Sequence, residues 1–247
     1  MLETNEPATF EIVNPDGLSN AILVCDHASN RIPVALKNLG LDAEQLADHI
    51  AWDLGAAEVA RALSKLINAP LVLSGYSRLV IDCNRPLSSP ESIPEQSAGI
   101  DVPGNKNLTD DERNNRVDTF FWPYHNAIKE LLNKRQNPST ILLSIHSFTP
   151  VLYKQLRPWH IGISHKSDNG LAKFFYQQLS QLKELNVGFN QPYPIEDEYD
   201  FTIPTHGDGR SIPNIMIEIR QDTIQTTNEA TAWAKRLAQV CSAINTM

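Results

Sequence analysis

Short apolar runs alternate along this chain with longer stretches in which apolar residues recur every three or four positions. The runs read as buried strands near residues 20–25, 70–73, 79–83, 140–145, 160–164 and 214–219. Helical spacing occupies about 43–50 and then Asp53 to Ile67, where Leu54, Ala57, Val59, Ala60, Leu63 and Leu66 form one stripe and Asp53 stands at the N-cap position. Thr109-Asp-Asp-Glu112 is a capping-box sequence and opens a helix to about Asn133. Further helices are predicted over 169–182 and 227–245, with a polar loop near 186–213. Strands alternating with helices imply a mainly parallel sheet covered by helices. Residues 86–108 hold prolines, glycines and serines without periodicity, and a loop of that length is expected to cover a site.

A chain of 247 residues can bury a large core, and no Pro/Gly/Ser-rich linker divides it, so a single domain over 1–247 is expected. The net charge of −8, without a Lys/Arg stripe, offers no attraction to nucleic acid or an anionic membrane. No apolar run approaches the ~20 residues of a membrane span. The acidic start Met1-Leu-Glu-Thr-Asn-Glu6 lacks the features of a signal peptide. Cys25, Cys83 and Cys241 are too scattered for a disulfide framework or a cysteine zinc cluster, and a reducing, cytoplasmic location is expected.

Three apolar segments end in residues with acid–base or metal chemistry: Ile22 to His27, Ile141 to His146, and Ile215 to Arg220. An α/β sheet gathers such strand ends along one edge, where ligands bind. His27 and His146 share one context, a strand followed by a turn, and neutral imidazole suits zinc. A catalytic zinc needs a third protein ligand and an open position. Asp26, His49 and Asp53 are the candidates, with Asp53 ranked ahead of His49, although an N-cap alone would also explain Asp53. Glu218 has apolar neighbours on both sides; it is either paired with Arg220 on a wet face or buried for use as a general base. Ser77 to Pro86 is the densest polar stretch. There Asn84 and Arg85 could hold a carboxylate, while Arg78 either pairs with Asp82 or acts on substrate. His125, among aromatics on a helix, reads as a core histidine, whereas His206 lies in a loop from which it could meet substrate. No nucleophile elbow, phosphate loop or dinucleotide turn is present.

Taken together, these segments resemble the N-formylglutamate amidohydrolase family. The resemblance rests on Asp26 to Pro33, His49 to Gly55, Ser77 to Pro86, Ile100 to Asn105, Ser144 to Pro150 and Glu218 to Asp222. It implies a three-layer α/β/α domain with a mixed, mostly parallel central sheet, similar to zinc carboxypeptidases and aspartoacylase-type deacylases, and one zinc ion per chain. In those relatives a His-x-x-Glu pair and a distant histidine hold the metal, an Asn-Arg pair binds the substrate carboxylate, and a Glu-x-Arg glutamate is the base. His27, His146, Asn84, Arg85 and Glu218 match these places, but Asn30 stands where the helper glutamate would be.

The expected function is therefore metal-dependent hydrolysis of the N-acyl amide of a small acidic amino acid such as N-formyl-L-glutamate. His27, Asp53 and His146 are the expected metal ligands, Glu218 and Arg78 the catalytic residues, and Asn84, Arg85 and His206 the substrate contacts. Deacylation of another N-acyl amino acid or a peptide is the alternative within the same chemistry. Non-catalytic binding of an acidic amino-acid derivative is the alternative outside it.

Overall fold

The structure, a computed structural model, describes residues 2–135, 139–167 and 170–244. Its strands are β1 (Phe10–Val13), β2 (Ala21–Cys25), β3 (Leu71–Ser74), β4 (Gln96–Ser97), β5 (Ile100–Asp101), β6 (Ile141–Phe148), β7 (Val151–Leu152), β8 (Gln155–Leu156), β9 (Ile161–Ser164), β10 (Val187–Phe189) and β11 (Asn214–Arg220). The helices are α1 (Ala43–Ala47), α2 (Ala56–Ile67), α3 (Asp110–Arg116), α4 (Trp122–Lys134), α5 (Leu171–Leu179) and α6 (Thr227–Ile244). Residues 169 and 245, the expected outer ends of two helices, lie outside the described residues.

Seven strands form one mixed sheet in the order β1-β3-β2-β6-β11-β9-β10. β3, β2, β6 and β11 run parallel, and β1 and β9 join antiparallel to β3 and β11. The period-2 alternation of side chains divides each central strand between two helical layers. Leu23, Cys25, Leu143, Ile145, Ile215 and Ile217 pack on one side with α2, α5 and α6. Ile22, Val24, Leu142 and Met216 pack on the other with Tyr124, Ile128 and Leu131 of α4. This is the three-layer α/β/α architecture with a mixed, mostly parallel sheet that the family resemblance implied. Among the described residues no helix is long and apolar enough to cross a membrane.

The chain leaves β2 for β3 on one side and returns as β6 on the other. Such a reversal opens a crevice beyond the carboxyl ends of the two strands. Asp26 and His27 follow β2 directly, and His146 lies in the same crevice.

Several elements differ from the sequence pattern. Leu79–Cys83 is a buried coil and not a strand: the Asn105 amide donates to Leu79 O at 2.8 Å and the Arg116 guanidinium to Val80 O at 2.9 Å. Side chains there supply the backbone partners that a sheet would otherwise provide. Asp53 is not an N-cap, because α2 begins at Ala56 behind Gly55 in the left-handed region (φ 76°). Segment 86–108 folds as the β4–β5 hairpin between short helical turns, and Ile93 and Val102 join a separate apolar cluster with Leu79, Ile81 and Phe121. None of its residues lines the main cavity, so it does not cover the site. The expected helix from Thr109 carries its capping box but passes through a wider turn at Val117–Phe121 just before Pro123, which lacks the donor a regular turn requires.

Gly162 of β9, opposite Glu218 in the ladder, marks a close crossing. A Cβ there would meet the Gln191 carbonyl oxygen at 1.7 Å, so only glycine lets segment 190–194 lie against the sheet. Gly162→Ala should destabilise the protein by about 1–3 kcal/mol. A thermal melt checks this, at roughly 2–4 °C per kcal/mol for a chain of this size. An unchanged melting temperature would contradict the crossing.

Candidate active site

His27 and His146 meet in the crevice with ring centroids 5.0 Å apart and planes at 71°. Asp53 stands between them. Its Oδ2 lies 2.8 Å from His146 Nδ1 and its Oδ1 3.3 Å from His27 Nδ1. The last contact lacks hydrogen-bond geometry, which leaves His27 Nδ1 a buried polar atom without a partner. The opposite ring nitrogens are anchored: His27 Nε2 is 2.7 Å from Asp82 Oδ1, and His146 Nε2 is 3.1 Å from Asp26 Oδ2. Each imidazole is thus held at Nε2 by a carboxylate and directs Nδ1 to a common point, the arrangement in which second-layer carboxylates orient metal-ligating histidines.

One ligand atom from each of His27, Asp53 and His146 can be chosen so that all three lie within 4.8 Å of one another. Two imidazole nitrogens and one carboxylate oxygen match a catalytic zinc site with a position left open. Asp53, ranked first among the third-ligand candidates, is the one that completes this group. His49 lines the same cavity but is turned to Asp48, Nδ1 to Oδ1 at 2.7 Å. Asn30 donates to Leu46 O at 2.9 Å, and Asp26 lies behind His146.

The electrostatics favour a cation. Asp26, Asp53, Asp82 and Glu218 are all buried, and Arg78 is the guanidinium beside them. Burial works to raise the Asp53 carboxyl, yet the two imidazoles outweigh it and hold it far below the usual carboxylate range. Burial and Arg78 push the His27 imidazole down, but Asp82 and Asp53 outweigh them and raise it. His146 is raised further, by Asp26 and Asp53 against its own burial. The carboxylates thus demand compensating positive charge, which imidazolium protons or a bound dication would supply.

Glu218 is the neighbour of His146 across the parallel β6–β11 ladder, with both side chains on one face. It is 5% exposed and lines the cavity, and its Oε2 has no hydrogen-bond partner. It is not paired with Arg220, whose Nε donates to Asp222 at 2.7 Å. Burial, with Asp53 and Asp200 adding and His146 opposing, raises Glu218 to about 7. A carboxylate poised there suits proton transfer near neutral pH.

The cavity is about 430 Å³, within the size range of small-molecule sites. His27, Asp53, His146 and Glu218 form its floor, and Arg78, Arg85, Tyr193, Glu196, Tyr199 and Asp200 stand around it. Arg78 grips Asp82 through Nε at 3.0 Å and Nη2 at 2.7 Å, with Nη1 3.6 Å from Asp53. Arg85 reaches Tyr199 O at 2.6 Å and Glu91 at 3.2 Å.

Of the other two expected substrate contacts, Asn84 lines the cavity and His206 does not. The Asn84 side chain is taken up by the cavity wall: Nδ2 donates to Asp200 Oδ1 at 2.9 Å, and Oδ1 accepts from the backbone of Phe201 at 3.2 Å and Thr202 at 3.0 Å. His206 is not in the cavity at all. It is buried in the turn Ile203–Gly207, with Nε2 3.0 Å from His125 Nδ1. Burial lowers His125 to about 4 and His206 to about 3, so both are neutral core histidines. His125 Nε2 contacts Cys83 O at 2.9 Å, as its aromatic setting suggested. Ser144 is fully buried against Asp26 and His146 and does not line the cavity, while Ser147 lines it with its hydroxyl donating to Leu54 O at 2.8 Å.

The sequence pattern did not single out Tyr193, Glu196, Tyr199 or Asp200, which sit in a stretch that reads only as polar loop. In the sequence Asp26 reads only as a candidate ligand. Its hub position, accepting from Tyr124 at 2.8 Å and Thr202 at 2.7 Å, joins residues far apart in the chain.

Comparison with known proteins places the chain in a family. The family model described as N-formylglutamate amidohydrolase matches residues 19–225. A crystal structure of a gene product from Agrobacterium tumefaciens is 37% identical, superimposes with a TM-score of 0.94, and is covered over 98% of its length by 99% of this chain. An N-formylglutamate amidohydrolase from Ralstonia eutropha has the same fold at 17% identity, with a TM-score of 0.69 and coverage of 96% of this chain and 97% of that one. No functionally curated protein matches the sequence. The family match spans most of the chain, including every residue of the crevice described above, and this protein belongs to the N-formylglutamate amidohydrolase family of hydrolases.

Proposed function

We propose that the chain is one catalytic domain that hydrolyses the N-acyl amide of a small amino acid, with N-formyl-L-glutamate as the substrate, in a metal-dependent reaction. The observation that carries this reading is the pairing of a His27/Asp53/His146 donor group with an unpartnered Glu218 carboxylate on the adjacent strand. When bound, a divalent ion such as zinc would polarise the acyl carbonyl and lower the pKa of water there to about 7.

The chain's own residues do the rest. Arg85 holds a substrate carboxylate and so sets the register of the amide over the floor of the cavity. Glu218 takes a proton from the attacking water, whose oxygen bonds to the acyl carbon. Arg78, beside Asp53, faces the negative charge that develops on the acyl oxygen. Glu218 then delivers the proton to nitrogen as the C–N bond breaks, which releases formate and the free amino acid. Asp82 and Asp26 keep the two imidazoles aimed throughout.

Glu218→Gln should lower kcat by roughly 10²–10⁴-fold while substrate still binds; near-normal turnover in a formate-release assay would rule the mechanism out. In the wild type, kcat/KM should fall on the acid side of a limb no higher than the value of about 7 that burial gives Glu218. The sign follows because the base works only when deprotonated, and a bound cation can only lower that value. Chelation should abolish formate release, and zinc should restore it. Asp82→Asn should weaken zinc affinity by about 10–100-fold in a competition titration. Full activity after exhaustive chelation would leave the donor group without a catalytic use. Tight binding of N-formylglutamate without turnover by the zinc-loaded protein would indicate a binder instead.

A further inference from the structure

Arg157 is a charged side chain that this mechanism leaves unused. It is 7% exposed, and among the described residues no carboxylate lies within ion-pair distance of it. Its guanidinium lies 5.8 Å from the Phe148 ring centre and 4.7 Å from that of Tyr193, and it donates to the Tyr193 hydroxyl. Its remaining protein acceptor is Thr149 O, at 3.5 Å. The other buried arginine, Arg116, also lacks an ion-pair partner among the described residues, but it stands away from the cavity, and its two Nη groups donate to Val80 O, Asn105 Oδ1 and Gly104 O, which accounts for it as a structural peg. An unneutralised buried guanidinium is costly unless an anion visits it.

The three residues that surround Arg157, namely Phe148, Thr149 and Tyr193, all line the cavity. Arg157 therefore stands one side chain behind the wall. Because the Tyr193 oxygen accepts from Arg157, its own O–H is left to donate elsewhere, and Tyr193 is the group through which the charge meets a ligand. Arg85 can hold one carboxylate, and Arg78 is gripped by Asp82. A dicarboxylic substrate needs a further cationic contact.

We infer that the Arg157–Tyr193 pair recognises a second carboxylate, on the side chain of the substrate, and makes the enzyme selective for acidic N-acyl amino acids. Tyr193 makes the contact, and Arg157 is a positioning residue that supplies its charge. This rests on the amidohydrolase reading above and adds to it which groups choose the amino acid.

The test compares kcat/KM for N-formyl-L-glutamate and N-formyl-L-glutamine with the full-length, zinc-loaded protein. These substrates differ only by an amide in place of the carboxylate. The wild type should prefer glutamate, and Arg157→Gln and Tyr193→Phe should each shrink that preference by roughly tenfold or more, the strength of a charge-assisted hydrogen bond. Because selectivity is a ratio, a general loss of stability or of active enzyme cancels from it. Tyr193→Phe keeps the ring and decides the matter if Arg157→Gln does not fold. A wild type without preference, or variants with an unchanged ratio, would overturn the inference while leaving the amidohydrolase reading intact. Failure of the wild type to release formate from either compound would instead overturn both.

Discussion

Two buried aspartates hold two imidazoles by their far nitrogens, and the proposed chemistry rests on that constraint. Asp82 fixes His27 and Asp26 fixes His146, so that both Nδ1 atoms point to the space occupied by the Asp53 carboxylate. Without these anchors each ring could rotate away, and the donor group would be lost even with all three residues present. The anchors depend in turn on the topology. The reversal between β2 and β6 brings residues 26 and 27 beside residue 146 and makes the crevice, and the parallel pairing of β6 with β11 sets Glu218 next to His146.

A second set of contacts encloses this floor. Segment 190–202 is carried over the sheet at Gly162, is tied by the Ser164 hydroxyl to Tyr193 O, and is latched by Asn84 to Asp200 and the backbone of 201 and 202. Asn84 and Arg85 are therefore adjacent in sequence but differ in their work: one builds the wall, and the other remains at the cavity. The wall brings Tyr193, and Arg157 behind it, to a site otherwise made from strand ends. The coil at 77–85 that carries Arg78, Asp82, Asn84 and Arg85 is held by Asn105 and Arg116 instead of by a sheet.

The central strands and most helices were legible because burial on both faces, or on one stripe, leaves a periodic mark. His27, His146 and Glu218 were legible for a related reason: polar residues interrupting or ending apolar strands have few reasons to be buried. Asp53 was legible as the first-ranked third donor, but it also read as an N-cap, and the late start of α2 behind Gly55, which removes that role, was not legible. Apolar residues 79–83 mimic a strand because composition cannot reveal that their backbone partners are the side chains of Asn105 and Arg116. His206 and segment 86–108 misled because polar, turn-rich sequence marks loops without saying whether they pack inward or face a cavity. The role of Arg157 depends on contacts with residues 148, 149 and 193, which no local pattern encodes.

A crystal structure of the zinc-loaded protein, with anomalous scattering recorded at the zinc edge, tests the central claim most directly. One peak is predicted, bonded to Nδ1 of both His27 and His146 at about 2.0–2.1 Å and to an Asp53 oxygen at about 2.0–2.2 Å, with the Nε2 contacts to Asp82 and Asp26 retained. A peak elsewhere in the molecule, or coordination through Nε2 with both aspartate anchors broken, would contradict it.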